Sequence, residues 1–248
     1  MAVYSIGEVA ERCGINPITL RAWQRRYGLL KPQRSEGGHR QFDDEDLERI
    51  QEIKRWVDSG VPVGKVRALL EGEAVNRDDG WQKLQEEITT ALRLIKPSKL
   101  RTRVATIGRE YPVDALIDNV YLPLRQRLNL EQSTAKILLS LLDGVLIDYV
   151  SFCLAGSRKK PGKDALLVGW HCKDRTRLWL EAWRFSQAGW RIDVLAEPLD
   201  ILRPDLFAGQ HLVIYSDKPL TRPQLAQVTE WQQQGYALTL SSEPGIAT

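Results

Sequence analysis

Arginines and glycines near the start of the chain have the types and spacing of a surface that binds phosphates and base edges. The set comprises Arg21, Arg25, Arg26, Arg34 and Arg40, together with Gly37 and Gly38. A guanidinium group can donate two hydrogen bonds at once to a guanine edge, and bare glycine lets main-chain N–H groups approach a phosphate. The pattern predicts binding to double-stranded DNA. The alternative is a charged face that is merely solvated.

The distribution of charge favours DNA binding over a solvated face. Residues 1–42 hold seven Lys and Arg against three acids, whereas residues 43–72 hold five against eight. A basic lobe backed by an acidic one is typical of a surface that attracts nucleic acid. The net charge of +3 over the whole chain hides this separation.

Two short helices with a tight turn between them would position the first arginines. Ser5 and Glu8 have the spacing of a capping box, and Gly14 suits the end of that helix. Asn16 can cap the next helix, and Pro17 follows at the first helical position, where its missing N–H costs nothing. The sequence therefore predicts a helix-turn-helix.

The second helix is amphipathic in a way that suits a recognition helix. On a wheel of 3.6 residues per turn, Leu20, Trp23 and Tyr27 share one face, and the arginines lie opposite or on its flank. One face would anchor the helix while the other reads a major groove. The predicted contacts from this helix and its cap are Asn16, Pro17, Ile18, Thr19, Arg21, Ala22, Arg25 and Arg26.

A small hairpin is predicted next, because two extended pieces flank a Gly-Gly turn. Its predicted contacts are Arg34, Gly37, Gly38, His39 and Arg40, with His39 interpreted as a phosphate or packing contact rather than a metal ligand. Asp43 should cap a third helix that ends at Ser59-Gly60. Pro62 should begin a fourth.

These residues resemble the MerR family of transcription regulators over about the first seventy positions. The similarity lies in residues 4–10 (Tyr-Ser-Ile-Gly-Glu-Val-Ala), residues 19–29 and the run Gly38-His39-Arg40. It implies a winged helix-turn-helix, a homodimer on a near-palindromic promoter site, and activation together with RNA polymerase by distortion of the DNA. Within the family, the chain most resembles an enterobacterial branch that activates curli and biofilm genes. That likeness implies partners among cyclic-di-GMP-metabolising proteins.

Periodicity divides the chain into three predicted parts: a DNA-binding domain at 1–72, a linker and four-helix bundle at 73–160, and an α/β domain at 161–248. The bundle helices are expected at 81–95, 98–110, 113–128 and 133–154. Pro123 is expected to kink the third. The fourth is apolar nearly all round and is expected to be central. The linker is placed at 71–80.

The last part alternates short apolar runs with helical stretches. Strands are expected at 165–170, 192–195, 211–215 and 237–240, and helices at 176–188 and 222–234. This order predicts a small parallel sheet with right-handed crossovers. The predicted fold class is therefore multidomain α and α/β, ending in a trimmed, flavodoxin-like domain that resembles a cobalamin-binding module.

The loop after the first of these strands is the expected ligand position of such a sheet. Cobalamin modules carry Asp-x-His-x-x-Gly there, whereas this chain keeps Asp174 but has Thr176 in place of the cobalt-ligating histidine and Trp179 in place of the glycine. No cobalamin or other cofactor is therefore expected. An anionic ligand such as a nucleotide phosphate and a merely solvated loop both stay open. The candidate loop residues are His171, Lys173, Asp174, Arg175, Thr176 and Arg177.

Several classes of protein are excluded at this level. No residues have the spacing of a metal site, a nucleophile with its base, or a pair of catalytic carboxylates, so neither a metal nor an enzyme activity is expected. Three distant cysteines and the lack of about 18 consecutive apolar residues favour a cytoplasmic, nucleoid-associated protein without a membrane partner. For the C-terminal half, a small-ligand sensor and a protein-docking platform remain alternatives.

Overall fold

A computed structural model of the chain describes residues 3–35, 37–73, 80–130 and 134–241. Its contacts group into two compact units, Met1–Val145 and Leu146–Thr248, which are described separately below. The predicted linker falls mostly on residues 74–79, outside the described part. The division at 72 and 160 stays a prediction.

The helix-turn-helix is confirmed at both of its predicted caps. Helix α1 (Ile6–Cys13) begins with a capping box, in which the Ser5 amide donates to Glu8 Oε2 at 2.7 Å and the Glu8 amide donates to Ser5 Oγ. Gly14 ends it at a φ of 61°, a left-handed conformation that glycine adopts without strain. Helix α2 (Pro17–Tyr27) follows at once, with its Ile18 amide bonded to Asn16 Oδ1 at 2.8 Å.

The predicted hairpin and the two supporting helices complete the first part of this unit. Strands β1 (Gln33–Arg34) and β2 (Arg40–Gln41) pair antiparallel, with Arg34 opposite Arg40. Helix α3 (Asp44–Asp58) is capped by Asp43, and helix α4 (Val63–Leu70) begins after Pro62. Their inner faces bury one core with α2, including Leu20, Trp23, Leu29, Ile50, Ile53, Val57, Val63 and Val66.

Five further helices follow along the chain: α5 (Gly80–Arg93), α6 (Pro97–Glu110), α7 (Val113–Leu116), α8 (Leu122–Leu130) and α9 (Thr134–Ser157). The predicted third helix is interrupted just before Pro123 by a π-helical turn, Ile117–Tyr121. Proline lacks an N–H and its ring clashes with the carbonyl four residues earlier, here that of Asn119. The Leu122 amide therefore bonds to Ile117, five residues back, and the Asn119 carbonyl accepts the Gln85 side chain at 2.7 Å.

Helix α9 corrects the expectation of a central, fully packed helix. Its inner face, with Leu142, Leu146 and Val150, is buried, but Ile137 is 64% exposed and Phe152 is 76% exposed. Only 28% of its most apolar 18-residue stretch is buried. Apolar composition predicted burial, yet only one face of the helix packs. Among the described residues it is the one helix long and apolar enough to span a membrane, which is weak evidence because core helices of soluble proteins meet the same test.

The second unit contains the predicted four-stranded parallel sheet. Its elements are β3 (Lys163–Gly169), α10 (Arg175–Gln187), β4 (Trp190–Val194), a 3₁₀ turn (Pro204–Phe207), β5 (Leu212–Tyr215), α11 (Arg222–Gln233) and β6 (Leu238–Leu240). The strand order is β4-β3-β5-β6. From β3 the chain adds β4 on one side and then β5 and β6 on the other side, so the order of strands reverses between β3 and β5. The crevice where such sheets bind ligands lies beyond the carboxyl ends of these two strands. The likeness of this unit to a cobalamin-binding module stays a prediction.

Candidate nucleic-acid interface

Helix α2 presents a polar outer face whose burial agrees with the predicted wheel. Arg21 and Arg25 are exposed and Ile18 is 44% exposed, whereas Leu20 and Trp23 are buried. The remaining outward candidates, Asn16, Pro17 and Ala22, are half-buried. A helix anchored on one side and exposed on the other can enter a major groove without losing its core.

Thr19 is an exception, and its predicted contact with DNA is not supported. Its side chain is only 2% exposed. Position 19 is one helical turn before Trp23, so Thr19 lies on the inward stripe beside the buried indole rather than on the outer flank. It belongs to the core of the head.

The hairpin forms an exposed wing beside α2. The Gly38 amide donates to the Ser35 carbonyl at 2.8 Å, and the Ser35 amide donates to the His39 carbonyl at 2.9 Å. Gly38 has a φ of 76°, which a side chain would strain. Gly37, Gly38 and His39 are all exposed, although the amides of Gly38 and His39 are used within the turn, the latter by a bond to Ser35 Oγ at 3.2 Å.

The wing and the recognition helix are joined by a side-chain bond that sequence reasoning missed. Arg40 Nε donates to Gln24 Oε1 at 2.5 Å. Burial lowers the pKa of Arg40, and the nearby positive charges of Arg25, Arg21 and Arg34 lower it further. Gln24 carried no signal in the sequence, because its partner depends on how the hairpin folds back onto α2.

Four guanidinium groups, two from α2 and one from each strand of the hairpin, therefore converge on one surface, which we call the basic face (Arg21, Arg25, Arg34 and Arg40). Their mutual repulsion is the cause of part of the pKa shift at Arg40. Positive charges held together in this way are stabilised by an anionic partner, and the backbone of a nucleic acid supplies a row of phosphate groups.

Arg26 differs from the other predicted contacts on α2. Its guanidinium forms an ion pair with Glu110 at the end of α6, and the Glu110 side chain is only 7% exposed. The arginine side chain itself remains 56% exposed. The contact of Arg26 with DNA stays a prediction, but the group has a partner within the protein that its sequence position did not reveal.

The predicted ligand loop lies at the expected crevice, but an internal carboxylate occupies its main-chain donors. Asp217, which follows β5, accepts from the Lys173 amide at 2.5 Å and from the Asp174 amide at 3.3 Å. The Cys172 thiol lies 3.2 Å from the same carboxylate. Burial, and then this hydrogen bond, raise the pKa of Cys172 to about 12, so the thiol stays protonated and inert at neutral pH.

Three other loop residues, Asp174, Arg175 and Arg177, have side-chain partners within the protein. Asp174 caps α10 by accepting from the Arg177 amide at 3.0 Å. Arg175 pairs with Glu197 at 2.5 Å, and Arg177 pairs with Glu181 at 2.9 Å. Thr176 is buried, whereas His171 is exposed at a φ of 51°. The structure brings the candidates together in one loop, and pairs two of its cationic side chains with acids. The described residues hold no group of three or more side chains suited to a metal ion.

Comparison with known proteins first gives the class of the DNA-binding head. Residues 4–73 match the family model described as MerR HTH family regulatory protein. The matching residues include both helices and the wing that carry the basic face. The head is therefore that of a DNA-binding transcriptional regulator.

The particular family follows from the rest of the chain. Residues 81–155 match the helical domain of the transcriptional regulator MlrA, and residues 162–238 match its C-terminal domain. The HTH-type transcriptional regulator MlrA of Escherichia coli is 55% identical over 236 residues, covering 95% of this chain and 97% of that protein. Its counterpart in Salmonella typhimurium is 52% identical over 235 residues, again 95% and 97%. The chain belongs to the MlrA family of HTH-type transcriptional regulators.

A more distant relative matches over a shorter stretch. The HTH-type transcriptional repressor CarH of Myxococcus xanthus is 39% identical over 67 residues, which cover 27% of this chain and 22% of that protein. None of the three matching family models describes an enzyme.

Proposed function

We propose that the chain binds promoter DNA as a homodimer and activates curli and biofilm genes with RNA polymerase. The observation that carries the proposal of DNA binding is the convergence of Arg21, Arg25, Arg34 and Arg40 on one face, where Arg34 lies opposite Arg40 in the hairpin and Arg40 bonds to Gln24 of α2. The choice of target genes is supported by the likeness to MlrA along nearly the whole chain. Its place would be the cytoplasm, at the nucleoid, and it would have no catalytic activity.

In this proposal α2 lies in the major groove and the wing lies over the adjacent backbone. Arg21 and Arg25 donate to guanine edges, and Ile18 and Ala22 contact thymine methyl groups. Arg34, Arg40, His39 and the amide of Gly37 bind phosphates, and Gly38, which has no side chain, lets the backbone of the wing approach them. Asn16 and Pro17 bring the start of α2 close to the DNA. Two copies related by a twofold axis would place two such helices on half-sites about one helical turn, or a multiple of it, apart.

The test begins with a search for the operator. The full chain is used to enrich duplexes from a random library, and the enriched sequence is then titrated in a gel-shift assay. Arg21→Ala and Arg25→Ala should each weaken binding of the dimer to that duplex by about 2–6 kcal/mol, or at least roughly 30-fold, because each removes one base contact of about 1–3 kcal/mol from both half-sites. Failure to enrich any sequence, or unchanged affinity in both variants, would refute the proposal.

Arg222→Ala is the matched control. It removes one exposed arginine from the first turn of α11, where a positive charge does not favour the helix, so it should not destabilise the second unit. Affinity for the enriched duplex should stay the same. Circular dichroism of all three variants checks that the fold is intact.

For the C-terminal half we propose protein contact rather than the sensing of a small anionic ligand. Asp217 already occupies the loop amides that a phosphate would need, and Arg175 and Arg177 are paired with acids. The proposed partners are cyclic-di-GMP-metabolising proteins. Titration of the full chain with such a purified protein should give a saturable complex in calorimetry. Heat on addition of a nucleotide alone would favour the ligand sensor instead.

A further inference from the structure

Glu110 is a charged residue buried against the recognition helix. Of the charged residues that the structure describes, only Glu110 and Glu181 are buried. A buried carboxylate requires partners, and Glu181 finds its own on the same helix, in Arg177 and Arg184. Glu110 instead finds them on α2, more than 80 residues earlier in the chain.

Three contacts join Glu110 to α2. Its carboxylate pairs with the Arg26 guanidinium and accepts a hydrogen bond from the Tyr27 hydroxyl. Burial raises the pKa of Tyr27, and the Glu110 hydrogen bond raises it further, so the phenol remains a donor. The Glu110 main-chain carbonyl accepts from the Trp23 indole N–H at 2.8 Å. Each contact therefore fixes a different atom of α2.

The three partners lie on one stripe of α2. Positions 23, 26 and 27 are spaced i, i+3 and i+4, so their side chains are neighbours on the helix surface. At 100° per residue, Arg21 and Arg25 lie about 160° around the helix from Trp23. A contact that fixes the inner stripe therefore sets the direction in which the outer arginines point.

We propose that Glu110 is a positioning residue for DNA reading: it holds the rotation of α2, so that Arg21 and Arg25 face the bases. Arg26 serves chiefly as the ion-pair partner of Glu110. This inference rests on the proposed DNA-binding function, and it adds a residue of the helical region to the machinery that reads the sequence.

The sign of the effect separates positioning from simple electrostatics. Removal of a carboxylate near DNA makes the surface more positive, which strengthens binding to any sequence. Positioning predicts the opposite for the enriched duplex, because misdirected arginines lose base contacts. It predicts no loss for a scrambled duplex, since binding there depends on phosphates.

The experiment uses the full chain, the enriched duplex and a scrambled duplex of the same length. Glu110→Leu keeps roughly the volume of the side chain and the main-chain carbonyl that accepts from Trp23, but removes both carboxylate acceptors. The ratio of the affinities for the enriched and the scrambled duplex should then fall about tenfold. Glu110→Gln removes the same charge but keeps an acceptor for Arg26 and Tyr27, so it should recover most of that ratio. Equal effects of the two variants, or an unchanged ratio in both, would overturn the inference.

Arg26 is tested in a double-mutant cycle with Glu110. If the two act together, Arg26→Gln should lower the affinity ratio in the natural chain but add less than twofold in the Glu110→Leu chain. Equal losses in both backgrounds, with a salt slope reduced by about 0.9 per contact, would make Arg26 a phosphate contact and reject its role here.

Two further variants keep the test valid if Glu110→Leu does not fold. Tyr27→Phe removes only the hydroxyl that bonds Glu110, and should lower the ratio about threefold; no change would count against the inference. Asp143→Asn is the control, because it breaks the ion pair of Asp143 with Arg125 elsewhere in the same unit. It should leave the ratio within twofold. If the natural chain enriches no duplex, the proposed function itself fails. If a duplex is enriched but the Glu110 variants leave the affinity ratio unchanged, only this inference is refuted.

Discussion

Arg40→Gln should weaken DNA binding in a way that depends strongly on salt. Arg40 sits at the meeting point of the basic face, with its Nε bonded to Gln24 at 2.5 Å. This bond fixes the guanidinium and leaves its two terminal nitrogens for one phosphate. The variant removes that contact without changing the hairpin register, which depends on main-chain pairing between β1 and β2.

The size of the effect follows from the number of phosphate contacts. Each contact contributes about 0.9 to the slope of log affinity against log salt, so a dimer with two Arg40 side chains loses about 1.8. Between 0.05 and 0.2 M salt, the gap between the natural chain and the variant should narrow about twelvefold. At about 1.4 kcal/mol per contact, affinity falls about 100-fold at the lower salt and about 8-fold at the higher.

The assay is a fluorescence-anisotropy titration of the enriched and scrambled duplexes at four salt concentrations. The loss should be alike for both duplexes, because a phosphate contact carries no sequence information. Arg222→Gln removes the same charge from the second unit and should leave the slope unchanged. A constant ratio across the salt series, or a loss confined to the enriched duplex, would refute the assignment of Arg40 to a phosphate.

Two predictions concern stability. Burial, and then the charge of Lys163, lower the pKa of His211 below its usual 6.5, so the unfolded chain takes up this proton at a higher pH than the folded chain. The contribution of neutral His211 to stability is thus complete above about pH 6.5 and falls as the pH drops. Between pH 7.5 and pH 5 the melting temperature should therefore decrease less steeply in His211→Asn than in the natural chain. Equal slopes of melting temperature against pH would contradict this. In the first unit, a Cβ at Gly80 would meet the Gly60 carbonyl oxygen and lie 2.9 Å from Pro62 Cδ, so Gly80→Ala should lower the free energy of unfolding by about 1–3 kcal/mol. On α9, a Cβ at Gly144 would have no atom within 4 Å, so Gly144→Ala should instead raise the free energy of unfolding by about 0.5–1 kcal/mol. Urea titrations that show a change of the same sign for Gly80→Ala and Gly144→Ala would be evidence against the close contact at Gly80.

Local signals were enough to predict the helix-turn-helix. The Ser5–Glu8 capping box, the turn at Gly14 and the Asn16-Pro17 start each depend on residues only a few positions apart. The parallel sheet was also predicted, because short apolar strands alternating with helices admit few arrangements. In these cases the signals that determine the structure come from residues close together in the sequence.

Contacts between distant residues were not predictable in the same way. Glu110 and Arg26 lie 84 positions apart, and Cys172 and Asp217 lie 45 apart. Nothing in their immediate surroundings indicates a partner. Each of these side chains could equally be exposed to solvent, and only the fold of the chain determines whether it pairs with a distant residue instead.

Angular assignments failed where a residue lies at the edge of a helix face. Thr19 was placed on the outer flank of α2 but is buried one turn before Trp23. Successive positions on a helical wheel are 100° apart, so a residue at the edge of a face can be assigned to either side. Helix α9 was expected to be central because it is apolar on all sides, although Ile137 and Phe152 are exposed. Composition tells how apolar a helix is, but not how many of its faces find a neighbour.

The buried indole of Trp23 limits how such regulators can exchange their parts. The recognizable motif ends near residue 73, yet the acceptor of the Trp23 N–H is the carbonyl of Glu110, 87 positions along the chain. A head transplanted at that boundary, by recombination or in the laboratory, would carry a buried donor without its acceptor, a loss of about 1–3 kcal/mol. A functional exchange must bring α6 along or recreate its last turn in the new host. The segment inherited as a unit is therefore longer than the motif by which it is recognized.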